Sequence, residues 1–147
     1  MRISRAATYG LLATIQLSES TSSPPIPCSQ LARLGDMPER FLLQVLRTLV
    51  NQGLLRSTRG VDGGYRLTKP LSQISLLDIV EATDGPIHPD LPQVSGLSGP
   101  AQRKLAEALG DIAADARKRL GSLPLSQLKP AAGALAAASK GRRGSVA

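Results

Sequence analysis

The sequence of 147 residues is poor in the residue types that build metal centres and aromatic surfaces. Its single cysteine, Cys28, excludes an intramolecular disulfide and any zinc or iron–sulfur site held by several cysteines of one chain. Aromatic residues make up 2% of the chain and tryptophan is absent, so a platform that stacks many bases of single-stranded RNA is excluded. We therefore expect no cofactor and a core built of aliphatic side chains.

Catalytic and membrane-spanning patterns are missing as well. One histidine and one cysteine cannot supply a nucleophile–histidine–acid set, and no helix directly follows the glycines at 60–64 to complete a phosphate-binding loop. No apolar run approaches the length of a membrane span, and the N-terminus has no signal-peptide block. The sequence predicts a cytoplasmic, nucleoid-associated protein that is not an enzyme and has no membrane partner.

Positive charge is the most informative property that the sequence does have. A formal net charge of +7 and a pI near 10.3 favour a polyanionic partner. Residues 1–90 are nearly balanced, with nine basic and eight acidic side chains, and residues 91–147 carry the remaining +6. Between positions 40 and 69, however, six basic residues face a single acid, Asp62. These six are Arg40, Arg47, Arg56, Arg59, Arg66 and Lys69.

Three helices are predicted in the first third of the chain. Ser4 is placed to cap a helix that runs to about residue 18, and a short helix at about 29–34 stops at Gly35. Pro38 fits the first turn of a longer helix that ends at Gly53. Its apolar stripe consists of Phe41, Leu42, Val45, Leu46 and Leu49. The short helix, the brief turn and the longer helix have the spacing of a helix-turn-helix.

The longer helix also has a second face, opposite its apolar stripe. Arg40, Leu43, Gln44 and Arg47 recur there at intervals of three and four residues. A face with two arginines and a glutamine suits the major groove of DNA, and an ordinary solvated helix face is the alternative.

Residues 54–69 are predicted to form a short β-hairpin directly after this helix. Polar and apolar residues alternate on both sides of a tip in which Gly60, Gly63 and Gly64 supply positive φ angles. The hairpin carries the arginines Arg56, Arg59 and Arg66. A basic hairpin placed after a helix-turn-helix indicates the wing of a winged helix.

The rest of the chain is predicted to hold two more helices. Ser75 and Asp78 form a capping-box pattern at the start of the first, and Gly85 closes it, so that 1–85 form a winged helix-turn-helix domain. Residues 86–98 are a linker, 99–121 a long helix, 122–129 a short turn and 130–147 a disordered basic tail.

The long helix carries a narrow apolar stripe between charged flanks. The stripe consists of Leu105, Leu109, Ile112, Ala116 and Leu120. A narrow stripe on an appended helix is typical of packing against an identical helix, so we interpret it as a dimerisation element. Packing within one chain is the alternative.

The order of these elements and the string Arg59-Gly-Val-Asp-Gly-Gly-Tyr65 resemble the bacterial Rrf2 family of winged-helix transcription regulators, of the IscR, NsrR and CymR type. The resemblance extends from residue 2 to about residue 84. It implies a mainly α fold with a small β-hairpin, in which a winged helix-turn-helix precedes a long C-terminal dimerisation helix.

The family resemblance also implies a function. It is that of a homodimeric regulator, expected to be a repressor, on a two-fold symmetric operator of double-stranded DNA. Contacts near base edges are assigned to Arg40, Leu43, Gln44 and Arg47, and backbone contacts to Ser29 and Gln30. Arg59 is expected to reach the minor groove, Gly63 and Gly64 to let the backbone approach phosphate, and Arg2, Ser4 and Arg5 to hold phosphate.

Two departures from the family pattern limit what can be carried over. Many members have an acid where this chain has Leu43, so the operator sequence is not transferable. Sensory members hold an iron–sulfur cluster on three cysteines of the linker region, where this chain has Pro92, Ser98 and Lys104. We therefore expect no iron–sulfur centre, and the effector is not identified.

Several alternatives stay open from sequence. Cys28 is either a packed side chain or a redox switch, and His88 is either an ordinary loop residue or a pH or metal sensor. A nonspecific nucleic-acid-binding or architectural protein would also suit the basic tail. A third possibility is an adaptor that uses the winged helix to bind protein.

Overall fold

The computed structural model describes residues 2–19, 24–92 and 95–130. Over these residues the protein is mostly helical and has one two-stranded antiparallel sheet. The elements are α1 (Arg5–Ser18), α2 (Cys28–Gly35), α3 (Glu39–Asn51), β1 (Leu55–Thr58), β2 (Gly64–Leu67), α4 (Leu76–Asp84) and α5 (Gly99–Gly121), with short 3-10 helices at Leu71–Gln73 and Leu125–Leu128. The predicted mainly α fold with a small hairpin is confirmed. Residues 131–147 of the predicted tail lie outside the described residues.

Local capping fixes the starts of α1 and α4 where the sequence predicted them. The Ser4 hydroxyl accepts a hydrogen bond from the backbone N–H of Ala7 at 3.0 Å. At α4 the Ser75 hydroxyl accepts from the N–H of Asp78, and the Asp78 carboxylate accepts from the N–H of Ser75 at 2.8 Å. Each cap satisfies donors that the first turn of a helix leaves unpaired.

The turn between α2 and α3 differs from the prediction in its detail. α2 ends at Gly35 as predicted, but Gly35 itself stays helical, and the residue with the left-handed conformation is Asp36, with φ of 51°. A Cβ atom on Gly35 would lie 2.5 Å from Cε of Met37 and 3.0 Å from a methyl of Leu12. Gly35 therefore allows α2 to approach α1 closely. Pro38 is the N-cap of α3, one residue before its first turn.

The apolar stripe of α3 forms the centre of the core. Leu42, Val45, Leu46 and Leu49 are buried, and the ring of Phe41 meets that of Tyr9 edge to face at 5.7 Å. Since Tyr9 belongs to α1, this contact holds the start of α3 against the start of α1. Leu34 of the predicted short helix is 55% exposed and takes no part in this core.

The hairpin has the predicted position and is joined by a third short segment. Leu55 pairs with Leu67 and Thr58 with Gly64 in an antiparallel register. Tyr65 also exchanges two backbone hydrogen bonds with Ile26, of 2.9 and 3.1 Å. This pairing attaches the hairpin to the segment that leads into α2, and the sequence analysis did not anticipate it.

The segment that follows α5 returns to the winged helix. The N–H of Leu76 donates to the carbonyl of Leu123 at 2.9 Å, and the N–H of Leu125 donates to the carbonyl of Ile74 at 2.8 Å. The Leu125 side chain is fully buried. The predicted short turn after the long helix therefore exists, and it also supplies a core residue.

Candidate nucleic-acid interface

An open cleft lies between α3 and the hairpin. Its lining includes Arg47 and Asn51 from the last turns of α3, Thr58 and Arg59 from the hairpin, and Cys28 at the start of α2. The predicted Gly63 and Gly64 line it as well. The fold thus brings one arginine of the helical face and one arginine of the wing to a single concave surface, which we call the reading cleft.

The outward face of α3 has the exposure that its spacing predicted. Arg40, Gln44 and Arg47 are exposed and Leu43 is half-buried. Within the described part of the chain, the two recorded ion pairs are Arg117 with Glu81 and Arg119 with Asp115. The arginines of this face and Arg59 are therefore not neutralised by a described carboxylate. Their charge is available to an anion that enters the reading cleft.

The glycines of the wing are needed for the backbone conformation and close packing of the hairpin itself. Gly60 has a φ of 112°, but Gly63 does not have the positive φ that the sequence predicted for it. A Cβ on Gly63 would lie 2.4 Å from the carbonyl oxygen of Thr58, and one on Gly64 would lie 2.4 Å from the carbonyl carbon of Ile26. Close backbone approach inside the protein thus accounts for both residues.

The remaining predicted contact residues of α2 flank the cleft. Ser29 and Gln30 are exposed in the first turn of α2, next to Cys28. The Cys28 thiol donates to the carbonyl of Glu39 at 3.6 Å. Burial raises the pKa of Cys28, and the negative charge of Glu39 raises it further. A raised pKa keeps the sulfur protonated near neutral pH, which lowers its reactivity and disfavours a redox switch.

The predicted phosphate contacts at the N-terminus form a separate surface. Arg2, Ser4 and Arg5 line a concavity at the start of α1 and not the reading cleft. The Ser4 hydroxyl donates to the carboxylate of Asp84 at 2.5 Å while it accepts from the N–H of Ala7. Ser4 is thus engaged within the protein, whereas Arg2 and Arg5 are exposed.

Sequence reasoning did not assign several residues of this region. Asn51, Thr58 and Tyr65 line the reading cleft, and Val61 is fully exposed at the apex of the hairpin. Burial raises the pKa of the Tyr65 hydroxyl, the thiolate that Cys28 forms at high pH raises it further, and the positive charge of Arg47 lowers it. Tyr65 therefore lies close to both residues. The alternation of the strand indicated Tyr65 only as a packing residue, so its place in the cleft had no local signal.

The linker positions that correspond to cluster cysteines have other structural roles. Ser98 caps α5, its hydroxyl accepting from the N–H of Ala101 at 3.4 Å, while Pro92 and Lys104 are exposed. His88 is exposed as well. Over the described ranges, no group of three or more histidine, cysteine, aspartate or glutamate side chains is placed to hold a metal ion. The residues present do not fit an iron–sulfur cluster.

The predicted dimerisation stripe on α5 remains largely uncovered. Leu105 is 44% exposed and Ile112 is 65% exposed, and no residue of this 23-residue helix is buried. Leu109 and Ala116 are half-buried, and Leu120 packs against the core.

None of the helices in the described part of the chain has the length and apolar character needed to cross a membrane.

Comparison with known proteins decides the family. The model of the Rrf2 family, described as iron-dependent transcriptional regulators, matches residues 3–130. The chain belongs to the Rrf2 family. Rv1287 of Mycobacterium tuberculosis strain H37Rv, which bears the name of an HTH-type transcriptional regulator, is 37% identical over 87 residues, or 59% of this chain and 54% of that protein. This Rrf2 chain thus spans about half the length of that relative.

A second relative is similar over more of its length. The HTH-type transcriptional regulator CymR of Bacillus subtilis strain 168 is 34% identical over 105 residues, which are 71% of this chain and 75% of CymR. The solved structure of B. subtilis CymR, described as a global cysteine regulator, superposes with a TM-score of 0.70 at 30% identity over 88% of this chain and 96% of that one. The Rrf2 fold, with its long C-terminal helix, is confirmed.

Proposed function

We propose that this Rrf2-family protein is a sequence-specific DNA-binding transcriptional regulator and not an enzyme. The observation that carries the proposal is the reading cleft, in which Arg47 of α3 and Arg59 of the wing face one open surface without a described carboxylate partner. A helix and a basic hairpin presented side by side suit adjacent major and minor grooves of one duplex. The names of the relatives as transcriptional regulators support the same reading.

The winged helix-turn-helix of residues 1–85, which we call the reading head, supplies two classes of DNA contact in this proposal. Arg40, Leu43, Gln44 and Arg47 read base edges, where glutamine pairs with adenine and arginine with guanine. The second class positions the protein on the sugar–phosphate backbone or in the minor groove. It comprises Arg2, Arg5, Ser29, Gln30, Arg59 and the backbone at Gly63 and Gly64.

The proposed regulator acts as a homodimer joined through α5. The uncovered apolar residues Leu105 and Ile112 support this assembly. Covering such exposed aliphatic side chains with a second copy removes apolar surface from water and lowers the free energy. Two reading heads then meet a two-fold symmetric operator. A bound dimer hinders polymerase without further chemistry, so we propose repression as its output.

The proposed regulator has no iron–sulfur centre. A cluster needs several thiolates, and the family positions carry Pro92, Ser98 and Lys104 instead. The capping bond of Ser98 gives that position a role in starting α5. An absorbance spectrum and iron and sulfide assays of anaerobically purified protein test this, and stoichiometric iron and sulfide would contradict it.

The decisive experiment compares the wing arginine of the cleft with a matched arginine outside it. A duplex is first selected from random sequences, and dissociation constants are then measured for it and for random DNA at several salt concentrations. Arg59→Ala is expected to weaken binding of the selected duplex by about tenfold to a hundredfold, because it removes the arginine that enters the minor groove. Arg56→Ala, on the same hairpin but not lining the cleft, is expected to weaken it less than threefold.

Three outcomes would contradict the proposal. Equal affinity for selected and random duplexes would indicate a nonspecific nucleic-acid-binding protein. Unchanged DNA affinity in Arg59→Ala would favour a protein-binding adaptor. Equal losses in Arg59→Ala and Arg56→Ala would show that only the total charge of the hairpin matters.

A further inference from the structure

A cavity of about 260 Å³ lies beside the second strand of the wing. It is bounded by the C-terminal end of α1, the segment before α2, and β2 with the residues that follow it. Leu17 and Ile26, both buried in the core, and the half-buried Leu67 give it an apolar floor. Tyr65 lines both this cavity and the reading cleft.

Two cations stand at this cavity without an acid among its lining residues. They are Arg66, which is exposed, and Lys69, which is half-buried. Neither forms an ion pair with a described carboxylate. Arg66 also lies directly opposite Arg56 across the ladder, and like charges in that position repel each other. A bound anion relieves this repulsion.

The backbone at the cavity adds a hydrogen-bond donor. Along an antiparallel strand, backbone groups point alternately to the two neighbouring strands. Tyr65 bonds to Ile26 and Thr68 bonds to Leu54, so the N–H of Leu67 points to the same side as that of Tyr65, away from β1. The position that continues the pairing there is Pro24, and no bond from the Leu67 N–H to a described residue is recorded. This N–H therefore faces the cavity edge without a partner among the described residues.

We propose that this cavity binds a short aliphatic monocarboxylate. The carboxylate lies between Arg66, Lys69 and the Leu67 N–H, and the alkyl body lies on Leu17 and Ile26. A volume of 260 Å³ holds about nine heavy atoms at roughly 30 Å³ each. A ligand of that size is smaller than most drug-sized ligands. Because the lining has no aspartate or glutamate, the ammonium group of a free amino acid finds no anionic partner there and meets two cations instead.

The bound monocarboxylate contacts, through its carboxylate and its alkyl body together, both elements that position the reading cleft. It touches β2 of the wing and Ile26, whose pairing with Tyr65 joins the wing to the segment before α2. A ligand at this junction shifts DNA affinity if it favours one wing position over another. This regulatory consequence rests on the proposed function, whereas the binding site itself does not.

The site is tested on the full chain without DNA. Sodium hexanoate is titrated against hexanol and hexylamine, with calorimetry for affinity and amide NMR shifts for location. Saturable binding of hexanoate alone, with a shift of the Leu67 amide, is expected. Arg66→Gln combined with Lys69→Gln is expected to weaken hexanoate binding at least tenfold, whereas the matched Arg56→Gln changes it less than twofold. Circular dichroism verifies that each variant is folded.

Several results would overturn the proposal. The first two are an absence of saturable hexanoate binding to the unmodified protein and equally tight binding of hexanol. The other two are tighter binding of inorganic phosphate than of hexanoate, and an equal loss of hexanoate affinity in Arg56→Gln and in the double variant of Arg66 and Lys69. A separate titration measures the affinity for the selected duplex with and without saturating hexanoate, and a change of at least threefold is expected. An unchanged affinity would overturn the regulatory consequence alone. An absence of specific DNA binding both with and without hexanoate would contradict the proposed function instead.

Discussion

The reading head and α5 differ in how far a single copy of the chain completes them. In α3 the apolar stripe is buried and the opposite face is polar, so one chain satisfies both faces. In α5 no residue is buried, and Leu105 and Ile112 are exposed on one stripe. The contrast shows that one chain buries the apolar stripe of α3, whereas the apolar stripe of α5 stays exposed; the proposed second copy would cover it.

The largest effect is expected from a charge placed in the uncovered stripe. Ile112→Asp buries an unpaired carboxylate in the proposed dimer interface and should convert the dimer to a monomer. Because one reading head then binds without its tethered partner, affinity for a two-fold symmetric duplex is expected to fall a hundredfold or more. Analytical ultracentrifugation and DNA titration measure the two effects.

The control for this change lies on the other side of the same helix. Ala114→Asp adds the same charge at an exposed position outside the stripe, and it should leave the dimer intact. A wild-type protein that sediments as a monomer would contradict the proposed dimer. A dimer that tolerates Ile112→Asp would place the interface elsewhere.

A second, smaller effect tests where the reading head ends. Leu125→Ala removes a fully buried side chain and is expected to lower the free energy of unfolding by about 2–5 kcal/mol. Leu128→Ala, three residues on and 37% exposed, is expected to cost less than about 1 kcal/mol. Urea unfolding followed by circular dichroism compares the two. Similar small losses in both variants would mean that the C-terminal segment is not part of the core.

The smallest effect concerns the joint between the two regions. The Glu81 carboxylate accepts hydrogen bonds from Arg117 of α5 and from the backbone N–H of Ile87, the latter at 3.1 Å. Glu81→Gln removes the charge of this partly exposed pair and is expected to lower stability by about 1 kcal/mol. Asp115→Asn breaks the more exposed pair with Arg119 and should have no measurable effect. Thermal melts of both variants at two salt concentrations measure the difference. An equal loss of stability in Glu81→Gln and Asp115→Asn would contradict the prediction.

Local signals in the sequence predicted the elements of the reading head well. The caps at Ser4 and Ser75 and the stripe of α3 depend on residues within one or two turns, so spacing alone identifies them. Exposure of Arg40, Gln44 and Arg47 follows from the same spacing. The contact roles assigned to these side chains stay predictions.

Contacts between distant parts of the chain had no such signal. The Ile26–Tyr65 pairing, the Ser4–Asp84 hydrogen bond and the burial of Leu125 each join segments far apart in sequence. The left-handed conformation of Asp36, the residue after Gly35, was not predicted for a related reason. The space beside Gly35 is occupied by Met37 and Leu12, and packing between α1 and α2 therefore required glycine within the helix.

The docking of Leu125 has a consequence for how the molecule can be divided. The polypeptide leaves the winged helix at residue 85, runs through α5 and comes back to Ile74 and Leu76. A protease cut in the linker would leave both fragments held in one particle. A fragment that stops before α5, in contrast, would carry a cavity at the position of Leu125. The smallest fragment with native stability therefore includes α5, the helix proposed to join two copies of the chain.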